Sequence, residues 1–425
     1  MDKKLIMNLN KKQIYYGAAL IILVLICVIG MRGLIGEKLH QQTKYESVLP
    51  GKATERESDT IRVLIKSNGF EQIVHNEVVV SFADEKTETI TPDDPRFQNG
   101  TIKLQPTKPT EKITIESLNR GYGTPSYRGS LELFKTAEGI VIINELKIEE
   151  YLYAVVPSEM PASYELEALK AQAVCARSYA YNQSRTYSYP EYQAHVDDST
   201  SFQVYGNSKE QERTIQAVDE TYQEKVWYNG QVATTYYYST SCGKTASIEA
   251  WGEEIDEKNS YLQSMELCND KGEAYEKELP WYRWTAVIPK ETLEQLIELN
   301  TGVEIGDLLN VTVSERGAGQ IAQALTIVGT QDKITIETEN KIRSVLGGKG
   351  YQIEKQDGTV IDSSKLLPSA FFTIENQAER YIIHGGGYGH GIGMSQNGAN
   401  EMAKAGMSYK EILQTFYTGV RIEAK

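Results

Sequence analysis

The chain has 425 residues and a formal net charge of −14. At roughly 100–200 residues per domain this length allows two or three domains. The acidic balance argues against a nucleic-acid binder, whose footprint is a basic patch, and against broad adhesion to anionic lipid. Tyrosine is frequent, 27 against 8 phenylalanines. That suits flat polar ligands, because the ring stacks while the hydroxyl hydrogen-bonds. The same excess also arises if tyrosine simply replaces phenylalanine in strands.

Residues 14–31 are nearly all apolar and carry no charge. Such a stretch, with some slack, can cross a hydrocarbon core of about 30 Å. Lys3, Lys4, Lys11 and Lys12 precede it, and only Arg32 and Lys38 follow closely. The positive-inside rule then predicts residues 1–13 in the cytoplasm, a transmembrane helix over 14–32 and the remainder outside the cell membrane. A cleaved signal peptide is the competing reading. It requires a shorter apolar core and a small-x-small cleavage site, and Met31-Arg-Gly-Leu-Ile-Gly-Glu37 offers no clear one.

Residues 33–58 are polar and charged and read as a linker. Strand-like runs follow at 61–65, 78–82, 102–104 and 113–115, separated by Gly, Asn, Asp and Pro. They predict a small β-rich accessory region over 59–130. Further strand-like runs lie at 129–134 and 139–144. Residues 146–156 then read as a short helix, with Leu146, Tyr153 and Val156 at helical spacing.

Pro157 and Pro161 bracket Glu159, which predicts a break in the helix and a constrained connector. Val155, Val156 and Met160 flank that carboxylate. Partial burial among them raises a carboxyl pKa and makes a proton donor near neutral pH. A cap or an ion pair is the alternative that position alone leaves open. Ser163 can N-cap the next helix, expected to run to about residue 185. Leu166, Leu169, Ala173, Ala176 and Ala180 line one of its faces.

The stretch 225–370 is mostly strand-like, with helices expected at 207–219, 290–300 and 338–346. Glycines at 385, 386, 387, 389, 391 and 393 imply positive φ or very close backbone approach. Their spacing fits neither a dinucleotide fingerprint nor a P-loop. Gly393-Met-Ser-Gln-Asn-Gly398 has one residue too many for a nucleophile elbow, which excludes a serine hydrolase. His384 and His390 are six apart on a loop, and a metal would need a further ligand such as His195 or Asp197. No metal is expected; His390 reads as a substrate contact and His384 as bonded within its own loop. Ser408-Tyr-Lys-Glu411 forms a capping box for a final helix. Cys242 and Cys268 both fall in the exported part, where a disulfide between them is permitted.

These segments carry a resemblance. Tyr151-Leu-Tyr-Ala-Val-Val-Pro-Ser-Glu159-Met-Pro161 and Glu167-Ala-Leu-Lys-Ala-Gln-Ala-Val-Cys-Ala-Arg-Ser-Tyr179 resemble the SpoIID/LytB family. So do Gly387-Tyr-Gly-His-Gly-Ile-Gly-Met-Ser-Gln-Asn-Gly-Ala399, Ile412-Leu-Gln-Thr-Phe-Tyr-Thr-Gly419 and Tyr238-Ser-Thr-Ser-Cys-Gly-Lys-Thr245. The resemblance implies an α+β fold with a catalytic domain over 131–422. It implies a peptidoglycan lytic transglycosylase, which the expected anchor favours, with enhancement of a wall amidase as the alternative. SpoIID-type members are lytic transglycosylases of spore engulfment that prefer glycan strands stripped of stem peptides. LytB-type members enhance a wall amidase, which makes such an amidase the expected partner.

By the same resemblance Glu159 is the catalytic acid/base. Lys170, Gln172, Arg177, Tyr179, Tyr238, Ser239, His390, Ser395 and Gln396 are substrate-binding residues, although helix packing is an equal reading for Gln172. Some members carry a Cys/His zinc cluster. Asp197-Asp-Ser-Thr-Ser-Phe-Gln203 lacks one, and no cofactor is expected. The implied reaction is consistent with a single carboxyl group, because the sugar's own C6 hydroxyl replaces water as nucleophile.

Overall fold

The structure is a computed structural model that describes residues 59–84 and 86–424. The expected cytoplasmic tail, transmembrane helix and linker lie outside the described residues. Among the described residues no helix is long and apolar enough to cross a membrane. The architecture is mixed α+β, as expected.

A five-stranded sheet opens the described part, in the order Ile102–Leu104, Ser130–Lys135, Ile140–Lys147, Thr60–Ile65, Val196–Asp197. Thr60–Ile65 runs antiparallel to Ile140–Lys147, with Thr60 opposite Lys147. Strands from before and after residue 130 therefore share one hydrogen-bonded sheet, and the expected boundary there is not a packing boundary. The reason is in the residues: Ile61, Val63 and Ile65 point inward and are fully buried in the same core as Ile140 and Ile142. Alternating apolar residues make a face that needs a neighbour, and the nearest one lies across that boundary.

The helix Ile148–Glu159 leaves this sheet directly. Ile148, Tyr151, Leu152, Val155 and Val156 are buried at the spacing of one helical face. The helix does not break before Pro157, contrary to the sequence expectation. Pro157 sits in the last turn, where it removes one backbone bond, and the Ser158 hydroxyl donates to the carbonyl of Ala154 at 2.6 Å. The stop comes at Met160, which is extended at φ −133° and ψ 133° because Pro161 follows.

The next helix, Leu166–Gln183, packs on the helices Glu212–Glu220, Gln396–Lys404 and Tyr409–Phe416 and on the strand Glu224–Tyr228. Ala168, Ala171, Ala173, Ala176 and Ala180 keep its faces thin enough for that. Ser163 does not cap it; Glu165 takes the N-cap position, and its N–H donates to Asn400 Oδ1 at 2.9 Å. The turn from Pro161 to Tyr164 spends Ser163 ahead of the helix.

Helices form at Glu212–Glu220, Lys290–Thr301 and Glu339–Leu346, close to the expected places. The Ser408/Glu411 capping box is present as read. One small parallel pairing joins distant parts of the chain: Tyr237–Tyr238 lies beside Met394–Ser395. It docks the middle of the chain onto the glycine-dense stretch. Gly389, at φ 121°, permits this, since a Cβ there would lie 2.6 Å from the Cβ of Tyr238.

Candidate active site

Glu159 stands at the C-terminal end of its helix, partly exposed, with its carboxyl held among densely packed groups. Oε1 accepts the N–H of Val204 at 2.6 Å, and the Tyr237 hydroxyl also hydrogen-bonds to the carboxyl. Burial pushes the carboxyl up to about 7, against the pull of those two bonds. No lysine or arginine among the described residues contributes to that balance. The ion-pair alternative therefore finds no partner, and the group can hold or release a proton near neutral pH.

Tyr237 is itself braced. Gln203 Nε2 donates to its hydroxyl oxygen at 3.1 Å, which leaves the phenolic hydrogen for Glu159. Its carbonyl receives a bond from His390 Nε2 at 2.9 Å. His390 Nδ1 accepts the N–H of Ile392 at 3.1 Å. That acceptor role at Nδ1 places the proton on Nε2 and keeps the ring neutral. Burial, chiefly, lowers the His390 pKa to about 3. Both nitrogens are thus spent on the backbone, so the substrate contact expected of His390 is replaced by a structural role.

The structure brings several expected residues to this place. Tyr179 lies close enough to Glu159 to feel its charge. Gln396 Nε2 donates to the Glu159 carbonyl at 3.1 Å, and Gln172 stands beside Gln396 at 3.5 Å, fully buried. Buried behind Gln396, Gln172 takes a packing position and does not face solvent. Ser395 is fully buried; it caps the following helix through Gly398 N–H and donates to Glu276 Oε1 at 2.7 Å. Ser239 accepts two bonds from Asn397 at its carbonyl. Tyr238 is buried, with its ring against His390.

Two expected residues point elsewhere. Lys170 pairs with Glu167 at 2.9 Å and Glu220 at 2.7 Å. Arg177 holds Glu149 through two bonds of 2.8 Å and also donates to the carbonyls of Val218 and Glu224. Both fasten helices to one another, and neither reaches Glu159. A guanidinium that is 2% exposed needs that full set of acceptors, which fixes it away from solvent.

Residues 136–228 match the family model described as SpoIID, Stage II sporulation protein, and residues 253–393 match a domain of unknown function. Stage II sporulation protein D of Bacillus amyloliquefaciens is 30% identical over 311 residues, covering 69% of this chain and 78% of that protein. The chain belongs to the SpoIID family. An uncharacterised protein of Brachyspira hyodysenteriae is 33% identical over 301 residues, covering 70% and 72%. The amidase enhancer of Bacillus subtilis (strain 168) is 32% identical over 304 residues, covering 64% of this chain and 40% of the enhancer.

The part matched to SpoIID supplies Glu159, Tyr179 and Gln203, while Tyr237, Ser395 and Gln396 come from outside it. So does Glu276, a carboxyl that the sequence reading missed. Glu276 is 1% exposed and accepts the Ser241 N–H at 2.9 Å, the Ser241 hydroxyl, and Ser395 Oγ. Burial pushes it up to about 7. It ties the 239–243 segment to Ser395 and hence to Gln396 and Glu159. Tyr236, Trp251 and His390 complete an aromatic wall, with Trp251 4.7 Å from Tyr236 and 5.1 Å from His390.

Among the described residues no group of three or more His, Cys, Asp and Glu could hold a metal. Asp197 and Asp198 instead anchor the first sheet: Asp197 accepts Tyr189 Oη at 2.7 Å, and Asp198 pairs with buried Arg120. Cys242 and Cys268 are free thiols, so the permitted disulfide is not formed. Their segments run side by side, with Leu267 N–H donating to Gly243 O at 2.9 Å. Burial pushes the Cys242 thiol up to about 11, which suppresses the thiolate that disulfide exchange requires.

Proposed function

We propose that this SpoIID-family chain is a membrane-anchored lytic transglycosylase of peptidoglycan. In this reading the part after the anchor faces the wall. The observation that carries it is Glu159: one carboxyl, near neutrality, without a cation, beside partly exposed aromatic side chains. A role in the cell wall follows from the family and from the relatives named for sporulation and for amidase enhancement.

Protonated Glu159 gives its proton to the oxygen joining MurNAc C1 to GlcNAc, and that C1–O bond breaks. The resulting carboxylate accepts the proton of the MurNAc C6 hydroxyl. O6 then bonds to C1 and closes a 1,6-anhydro ring, with no water consumed. A carboxyl poised near 7 can serve both halves, because neither protonation state is strongly preferred. Tyr237 and Val204 stabilise the charged intermediate state of the enzyme through their bonds to it.

Mass spectrometry of amidase-stripped peptidoglycan after incubation with the full chain tests this reading. Anhydro-terminated products are expected, and none from Glu159→Gln. A Glu159→Gln chain that releases products at the parent rate would end the proposal. A second reading, a wall-binding enhancer of an amidase, is favoured by the 32% identical amidase enhancer. It predicts no sugar products from the pure chain and faster amide cleavage by an added amidase.

A further inference from the structure

Tyr388 lies in the glycine-dense stretch with 40% of its surface exposed, yet its backbone is pinned. Tyr388 and Thr240 exchange N–H to carbonyl bonds of 2.8 and 3.0 Å. Gly387 N–H reaches the Trp281 carbonyl at 2.8 Å, and Gly389 N–H reaches that of Pro368 at 2.9 Å. Gly387 and Gly389 adopt φ of 81° and 121°, conformations other residues rarely supply. Packing against Thr240 and Tyr238 sets the glycine backbone, and the Tyr388 ring is carried on it fixed and in solvent. A ring held in place before binding loses little freedom when a ligand arrives.

The surroundings indicate the ligand. Trp281 packs beside Tyr388, ring centroids 4.7 Å apart at 43°. Lys355 Nζ stands 4.8 Å over the Trp281 ring, and the Arg283 guanidinium 3.9 Å over that of Tyr282. Two cations thus flank an aromatic surface on a chain whose net charge is −14; Arg283 Nη1 donates to the carbonyls of Cys242 and Tyr282, which fixes the guanidinium, and Lys355 acts on Asp357. A chain of hydrogen bonds through buried and half-buried residues links this place to the candidate active site. Thr240, the partner of Tyr388, accepts a bond from Asn397 Nδ2 at 3.0 Å, and the adjacent Gln396 bonds the Glu159 carbonyl.

We propose that Tyr388 and Trp281 form a stacking platform for a sugar ring of the glycan strand, away from the bond beside Glu159, and that Lys355 and Arg283 receive the carboxylate of that ring. The inference rests on the glycan-cleaving reading above. Removal of a stem peptide by amide hydrolysis uncovers the lactyl carboxylate of a muramic sugar. A stripped strand therefore offers both things the platform is built for: a flat ring face and a fixed negative charge.

The test uses the full chain carrying Glu159→Gln, so that strands survive, and calorimetric titration with amidase-stripped glycan strands. Tyr388→Ala on that background should weaken binding about tenfold, while Tyr388→Phe keeps the affinity. Tyr222→Ala, at an exposed tyrosine outside the platform, should leave it unchanged. Lys355→Met should cost more affinity for stripped strands than for strands that retain stem peptides. Equal melting temperatures for parent and variants exclude a folding defect. If the parent binds and Tyr388→Ala binds equally well, the platform alone is refuted. If the parent binds no strands, the glycan-cleaving reading has failed and the platform with it.

Discussion

Replacing Tyr237 by Phe removes one hydroxyl from the candidate site and leaves the ring in place. In the parent that hydroxyl hydrogen-bonds to the Glu159 carboxyl, and Gln203 fixes its direction. A hydrogen bond to a charged group contributes about 1.5–3 kcal/mol. Each 1.36 kcal/mol corresponds to one pKa unit, so the Glu159 pKa should rise from about 7 by about 1–2. The sign follows from which form is stabilised: the phenol donates to the carboxylate, so its loss favours the protonated acid. The titratable groups facing Glu159 are the phenols of Tyr151, Tyr179 and Tyr237, none charged at neutral pH. The alkaline limb of kcat/KM for anhydro-product release should therefore move upward by the same amount. Titration of the 13C-labelled Glu159 carboxyl by NMR checks the pKa without relying on turnover. An unmoved carboxyl pKa in Tyr237→Phe would refute the reasoning, even if the activity fell.

The same carboxyl couples to stability. Its folded pKa is raised above the unfolded 4.5, so the folded state is penalised as pH rises from about 4.5 to about 7, by about 3 kcal/mol in full. Glu159→Gln should therefore melt at a higher temperature than the parent at pH 8, with the difference disappearing at pH 4. His390 behaves oppositely: its folded pKa lies well below 6.5, so stability it contributes above that value is lost as pH falls toward 3. A His390→Asn chain should show a shallower acid decline in melting temperature, and neither chain's cleavage profile should carry a limb from an imidazole. Arg177→Met strands Glu149 beside its vacated site and should cost about 3–5 kcal/mol by urea unfolding. Lys170→Met, at a less enclosed pair, should cost about 1 kcal/mol or less.

Most of the residues that gather around Glu159 were legible in the sequence, and the direction in which each side chain points was not. Glu159 stood out because a carboxylate between apolar residues and prolines is a poor solvated surface. Its helix was misjudged at Pro157, since a proline in a last turn loses a single bond and is tolerated. Lys170 and Arg177 share a helix with Gln172 and Tyr179, and only the rotation of that helix separates the two pairs. Rotation is set by what packs on it: Glu149 and Glu220 draw the cations to one side, while Gln396 meets Gln172 on the other. Those partners lie up to 224 residues away, beyond any local pattern.

Tyr237 shows the limit most sharply. It adjoins Tyr238, and in a strand neighbouring side chains face opposite ways, so one of them had to face Glu159 and the other the core. Nothing within the motif decides which. The choice is made by Gly389 and His390, two residues of the distant glycine-dense stretch. The absent side chain of Gly389 admits Tyr238, and the His390 imidazole bonds the Tyr237 carbonyl. The glycines are thus part of how the Tyr237 hydroxyl is aimed at Glu159. It follows that Gly389→Ala, far from Glu159 in sequence, should displace Tyr238, disturb the Tyr237 strand and lower turnover more than it lowers affinity for glycan strands. An unchanged kcat in that variant would mean that Gly389 does not act through Tyr237, whatever happens to the affinity.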